Sequence, residues 1–417
     1  MVNLATMYGF FLKKLFLIFL VLLNISVNAL DHNDDISETL RNTIINIENQ
    51  LSENIYNSPS HALSGIDAWV DDSGLTWSNS KLSDFDEQKL SFEVKLKNNA
   101  QVRAERSILN IGQTNIELKF ANLLERRLKA KYFLFIEHLQ QKKRKALLNQ
   151  QRLLANSELN HWKIKVNSKD FRADKLQQAG LTLDSIWADE IENSAILNRF
   201  NDGSLGERQF LNNSNSNVIS ITKMLVITKD ILNAGIYQKH NISIRKAELD
   251  RNLANKQKQR FKAQENFALN SIKLEYDNKD NDLGFSIGMK IPITNNSYDN
   301  ILKERAKYYA RIDVGHTATE VSERLLEKQF QLMQLQDQWT SNQKLLHKIN
   351  MRIARFSKIE NIDLLPHLKQ EHLKRRERQE DIYIQALKEY INYLNIAGML
   401  SAKPYRNWIH PQTPHIL

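Results

Sequence analysis

One short alternating pattern occurs twice, 195 residues apart, in a chain that otherwise reads as long charged helices. In "LGFSIGMKIPI" (Leu283 to Ile293), Phe285, Ile287, Met289, Ile291 and Ile293 fall on one face of a strand. Ser286, Gly288, Lys290 and Pro292 fall on the other. In "KLSFEVKLKNN" (Lys89 to Asn99), Leu90, Phe92, Val94 and Leu96 alternate in the same way with Ser91, Glu93, Lys95 and Lys97. Val94-Lys95-Leu96 corresponds to Met289-Lys290-Ile291, while Asn98-Asn99 corresponds to Asn295-Asn296 at an offset of 197. The copies therefore differ by a two-residue insertion around Pro292. A repeat of half the chain lies well beyond the period of ordinary solenoids.

Each strand has an upstream partner. Ile272, Leu274 and Tyr276 alternate with Lys273, Glu275 and Asp277, and the polar loop Asn278 to Asp282 turns the chain into the second copy. Ala68, Val70, Leu75 and Trp77 precede the first copy, across a longer polar loop. Two hairpins are expected, one per repeat.

Helices are expected to fill the rest. No proline stands between Pro59 and Pro292, which leaves 232 residues without the strongest helix breaker. After the second hairpin, Val314, Val321, Lys328 and Leu335 occupy one heptad position. Ala318, Leu325, Leu332 and Trp339 occupy the other, so only Lys328 breaks a coiled-coil seam. A return helix carries Ile384, Leu387, Leu394 and Ala397 on one side, and Ala100 to Asn160 is equally helical. Leu345 to Asn350 and the neighbourhood of Leu153 to His161 are where the two helical pairs should reverse. Each repeat thus reads as helix, hairpin, long helix, return helix. One hairpin leaves two open edges, unstable in water and forbidden in lipid, so several chains must close a barrel together.

The N-terminus fits export. Lys13 and Lys14 precede the apolar run Leu15 to Leu23, and Val27-Asn28-Ala29 ends in small residues. This is the pattern of a signal peptide over 1–29, with cleavage near Ala29, and a retained anchor is the alternative. Without cysteine the chain has no disulfide, zinc thiolate, thiol nucleophile or lipidated cysteine. The net charge is +10, and removing the leader leaves 56 basic and 48 acidic residues, or +8. These charges are interleaved, which fits a solvated helical surface better than a nucleic-acid partner. No His-Glu-x-x-His, phosphate-cradling glycine loop or Gly-x-Ser-x-Gly is present, so the chain is read as no enzyme, with no cofactor. His367 and His372 are five apart, on different helix faces, and suggest no metal site. The run His372 to Glu380 reads as a solvated face.

In this arrangement the sequence resembles the TolC-like outer-membrane efflux family. The residues that carry the resemblance are "LGFSIGMKIPI", the tip-proximal "RFSKIENIDLLPH" (Arg355 to His367) and "EYINYLNIAGML" (Glu389 to Leu400). It spans roughly residues 36 to 400 and rests on order and duplication rather than on one motif. It implies a mainly α fold with β-hairpins. Long antiparallel coiled-coil helices and four strands per chain would assemble in a homotrimer as a twelve-stranded outer-membrane barrel with a periplasmic α-tunnel. Residues 30–203 and 204–400 would be the two helix–hairpin–helix repeats, and 401–417 a C-terminal tail. The implied function is a passive exit duct, part of a tripartite efflux pump or a type I secretion system. A periplasmic adaptor and an inner-membrane pump or ABC transporter would be its partners. The rival reading is a periplasmic coiled-coil adaptor or scaffold, although the lipoyl-like domain and Gly/Pro-rich barrel of such proteins are not visible.

Two sets of residues follow as candidates. Trp69, Trp77, Phe92, Tyr276 and Phe285 would supply aromatics to the membrane strands, with Pro292 at the strand end. Glu360 and Asp363, held by Arg352 and Arg355, would form carboxylate rings at the tunnel entrance. Lys358 and Glu360 stand where the family often has glycine. Pro366 stands where its second gating carboxylate would fall, which implies a diverged aperture. The short first repeat, with about 30 residues between the leader and Pro59, suggests a truncated tunnel helix.

Overall fold

The computed structural model describes residues 35–56, 69–79, 88–169, 171–201, 218–265, 268–277, 282–290, 297–357 and 364–416. In chain order these form α1 (Asp35–Tyr56), β1 (Val70–Asn79), β2 (Gln88–Leu96), α2 (Asn99–Ile164) and α3 (Ala173–Asn201). The second half forms α4 (Ile221–Asn233), α5 (Ile236–His240), α6 (Ile242–Glu265), β3 (Ala268–Asp277), β4 (Asp282–Lys290), α7 (Ser297–Phe356) and α8 (Leu364–Ala397).

The two long helices set the scale. Asn98 starts α2 with a capping box: its side chain accepts from the Gln101 N–H at 2.8 Å, and the Gln101 side chain accepts from the Asn98 N–H at 2.7 Å. With no proline to interrupt it, α2 runs 66 residues, or roughly 100 Å, and α7 runs 60 residues, or roughly 90 Å. Each long helix is flanked by two shorter ones. α1 and α3 pack on α2, α6 and α8 pack on α7, and α2 also meets α6 and α8, which joins the repeats.

The expected seam is the observed one. Val321, Leu325, Leu332 and Leu335 of α7 are buried, as are Ile384, Leu387, Leu394 and Ala397 of α8. Lys328 breaks the apolar pattern because its ammonium reaches Glu389 of α8 at 2.9 Å. Ala318 and Trp339 pack at the edge of the same core. Leu40 and Ile44 of α1 and Tyr132 and Ile136 of α2 complete its centre.

Two expectations need correction. The chain does not reverse within Leu345 to Asn350 or within Leu153 to His161 itself. Leu346, Ile349 and Ala155 continue the buried stripes there, so the helices persist. Reversal comes later, through the 3-10 turn Lys165–Asn167 and after Phe356. Nor is the helix before the first hairpin much shorter than its counterpart: α1 has 22 residues and α6 has 24. The surplus of the second repeat is α4 and α5, of which α4 packs across α7 and α8.

Residues 398–416 wrap the middle of the helical body. Gly398 ends α8 with φ +73°, and a Cβ there would lie 2.2 Å from the His240 carbonyl oxygen. Glycine alone permits both the left-handed backbone and that approach. Beyond it, the Tyr405 hydroxyl donates to Glu48 of α1 at 3.0 Å, and the Asn407 amide donates to Ser37 at 2.9 Å. The Ile219 N–H donates to the Ile409 carbonyl at 2.8 Å, tying in the start of the second repeat.

Candidate functional site

The four strands make one antiparallel sheet in the order β1-β2-β3-β4. The β2–β3 pairing joins the two hairpins, so the repeats share a single sheet. The strands are nine or ten residues long, against the ~9–11 that a tilted membrane strand needs.

Register turns the alternation of each strand into two-dimensional faces. Trp77, Leu90, Tyr276 and Leu283 pair in one continuous row across all four strands. Leu75, Phe92, Leu274 and Phe285 make the next row, and Ser73, Val94, Ile272 and Ile287 the third. Ser73 and the Tyr276 hydroxyl are the only polar groups in these three rows, and the polar pair Asn79–Gln88 closes the same face at the loop end. The face is also uncovered: Leu75, Trp77, Leu90, Phe92, Leu274, Tyr276, Leu283, Phe285, Ile287 and Met289 are all exposed. A face of this size left to water is not a feature of soluble single chains.

The opposite face is polar. Its rows read Thr76, Ser91, Glu275, Gly284 and then Gly74, Glu93, Lys273, Ser286. Lys89 pairs with Asp277 at 2.7 Å, Lys95 with Asp72 at 3.3 Å, and Lys273 with Glu275 at 3.1 Å. Such exposed pairs add little stability, but they keep the face balanced in charge.

Each hairpin carries a register irregularity near its start, between Val70 and Asp72 and between Leu269 and Ser271. The first explains a parity conflict in the sequence. Val70 and Leu75 cannot share a face of a regular strand, but one extra residue between them lets them do so. Close by, Lys97 pairs with Glu105 of α2 at 2.9 Å and Glu105 with Arg260 of α6 at 3.2 Å. This partly buried triad joins the base of the sheet to one helix from each repeat.

The aromatic candidates separate by position. Trp77 and Tyr276 share the apolar row nearest the hairpin loops, and Trp69 stands at the helical end, where its carbonyl accepts from the Lys97 N–H at 2.8 Å. Phe92 and Phe285 lie in the middle row rather than at a rim. Pro292 lies outside the described residues, as do Glu360 and Asp363. Of the entrance candidates, Arg352 and Arg355 are exposed on the last turns of α7. Among the described residues neither forms an ion pair.

The sequence reading missed two features of the helical body. Glu125 of α2 is buried, its carboxylate accepting from the Asn395 side chain at 2.9 Å and from the Ser401 N–H and hydroxyl at 2.9 and 3.0 Å. Burial pushes this carboxyl up to about 7, against the downward pull of those hydrogen bonds. Nothing local marks Glu125, because its partners lie 270 residues and more away. The other is a line of cations on α7, Lys344, Lys348, Arg352 and Arg355, whose four- and three-residue spacing was legible. Among the described residues no group of three acidic or histidine side chains could hold a metal ion, and no helix is long and apolar enough to cross a membrane.

No family model and no curated protein matches the chain by sequence. Solved structures do match by shape. The outer membrane protein VceC of Vibrio cholerae aligns with a TM-score of 0.60 at 10% identity, covering 88% of this chain and 96% of its own. CusC, described in terms of transmembrane channel formation, aligns at 0.57 and 13% identity, covering 88% of this chain and 92% of its own. The CmeC outer membrane channel of Campylobacter jejuni aligns at 0.52 and 12% identity, covering 92% of this chain and 86% of its own. At these identities the likeness is one of fold, and it spans nearly the whole chain: this protein has the TolC-like fold of the outer-membrane efflux channels.

Proposed function

We propose that the chain is one subunit of a homotrimeric outer-membrane channel, a passive exit duct for a tripartite efflux pump or a type I secretion system. The observation that carries this reading is the sheet: three apolar rows on one face, a charge-balanced polar face behind them, and two open edges. Hydrocarbon satisfies the apolar face, water in a lumen satisfies the polar one, and closure with other copies satisfies the edges. Three copies of four strands supply an even, closed set of twelve. The long helices then extend roughly 90–100 Å from the barrel as a tunnel wall. The sequence carries no phosphate-cradling glycine loop, and in this reading transport energy comes from an inner-membrane partner through a periplasmic adaptor. A soluble scaffold would have to cover the apolar rows, and no element packs on them among the described residues.

The test is to express the full chain, isolate outer membranes, wash them with carbonate, and reconstitute the purified protein in planar bilayers. A carbonate-resistant protein that gives discrete conductance steps supports the duct. A carbonate-soluble protein without conductance overturns it in favour of the scaffold.

A further inference from the structure

The apolar face of the sheet has a definite height. Along β2 it runs Leu96, Val94, Phe92, Leu90, and the register carries these rows onto the other strands. The row at the helical end comprises the pairs Val70–Leu96 and Leu269–Met289. The register irregularity of each hairpin falls here, and each returns one apolar residue, Val70 or Leu269, to this row. From Leu96 to Leu90 is six residues, or roughly 20 Å along the strand. At the ~35–45° tilt of a membrane barrel the rows then span ~14–16 Å of height. Half a row spacing beyond each end brings the band to ~20 Å.

The band ends sharply on both sides. At the loop end the next pair on this face is Asn79–Gln88, which is polar. The row before that pair holds Trp77 and Tyr276, whose amphipathic rings suit a headgroup boundary better than hydrocarbon. At the helical end Asn98 caps α2 two residues beyond Leu96. Lys97, Glu105 and Arg260 are ion-paired at that level, and Arg103 and Arg106 are exposed on the first turns of α2. Hydrocarbon excludes such charges, so the helices cannot lend the band further height.

A transmembrane barrel ordinarily presents an apolar band of ~25 Å, and an average bilayer has a hydrocarbon core of ~30 Å. The band on this sheet is lower than both. A sheet too low for its bilayer forces the lipid to thin around it, at a cost that grows with each ångström of mismatch. We infer that the apolar face is fitted to a thin bilayer, one built from lauroyl- or myristoyl-length chains rather than the longer chains of an average membrane. This fit rests on the channel reading and adds to it the chain length of the lipid that the barrel accepts.

For the test, the full chain is purified in detergent and reconstituted into fluid vesicles of dilauroyl, dimyristoyl, dioleoyl or dierucoyl phosphatidylcholine. The carbonate-resistant fraction is measured in each. It is expected to peak in dilauroyl or dimyristoyl lipid and to be about fivefold lower in dierucoyl lipid. Asn79→Leu combined with Gln88→Leu adds an apolar pair at the loop end, and should move the peak one step toward longer chains. Ser91→Leu, on the polar face, should leave the peak in place. A peak in dioleoyl or dierucoyl lipid overturns the inference, as does a flat profile or a peak that the paired variant leaves unmoved. Protein that enters none of the vesicles overturns the channel reading itself, which keeps the two failures distinguishable.

Discussion

The Trp408 backbone N–H donates to the Tyr132 hydroxyl at 3.2 Å, and the same hydroxyl donates to the Arg406 carbonyl at 3.2 Å. One fully buried phenol near the middle of α2 thus anchors a segment 276 residues downstream. Tyr132→Phe keeps the ring and removes both bonds, leaving a backbone donor and a carbonyl without a partner. The expected cost is about 1–3 kcal/mol, read as a lowered denaturation midpoint. Protease cleavage within 401–416 should appear before the helices melt. An unchanged midpoint would mean that the segment is held by its apolar contacts alone.

Glu125 makes stability depend on pH in an unusual direction. Its carboxyl rises from an ordinary 4.5 to about 7 on folding, so the native state holds the proton more tightly than the unfolded one. The stabilising effect of that proton is complete below about 4.5 and is lost as pH climbs through about 7, by an amount on the order of 3 kcal/mol. Glu125→Gln cannot ionise, so its melting temperature should vary less than that of the wild type across that window. Parallel pH profiles for the two proteins would assign the dependence to another group.

The two faces of the sheet predict unequal tolerance to charge. Leu274→Arg places a cation in the middle apolar row, next to Phe92 and Phe285. Near a bilayer midplane this costs about 2–4 kcal/mol, and the yield in the outer-membrane fraction should fall. Ser91→Arg, on the polar face beside Thr76 and Glu275, should leave that yield close to wild type. Equal yields from the two variants would argue against lipid on the apolar side.

Much of the fold was legible because it rests on periodicity. Strand alternation located the hairpins, and the heptads located the α7–α8 seam. Lys328 looked like a flaw in that seam because Glu389, its partner, is distant in sequence. The irregularity after Val70 was invisible for a related reason, since a bulge is defined by the strand opposite. Helix ends were harder, because neither Leu345 to Asn350 nor Leu153 to His161 contains a glycine or proline that would stop a helix. The C-terminal segment read as a tail, although Tyr405, Trp408 and Ile409 were too apolar for a free one. The entrance candidates stand differently: Arg352 and Arg355 are exposed on α7, while Glu360 and Asp363 lie outside the described residues.

The central claim, that β1 of one copy pairs with β4 of another, can be tested by cross-linking because the chain has no cysteine of its own. Thr76→Cys on β1 would be combined with Gly284→Cys or Ser286→Cys on β4, and disulfides formed in isolated outer membranes. Within one chain these positions are separated by two strands, roughly 14 Å, too far for a disulfide. A band ladder that stops at three copies is the expected result. Monomer alone under oxidation, in protein that a carbonate wash releases, would contradict the barrel.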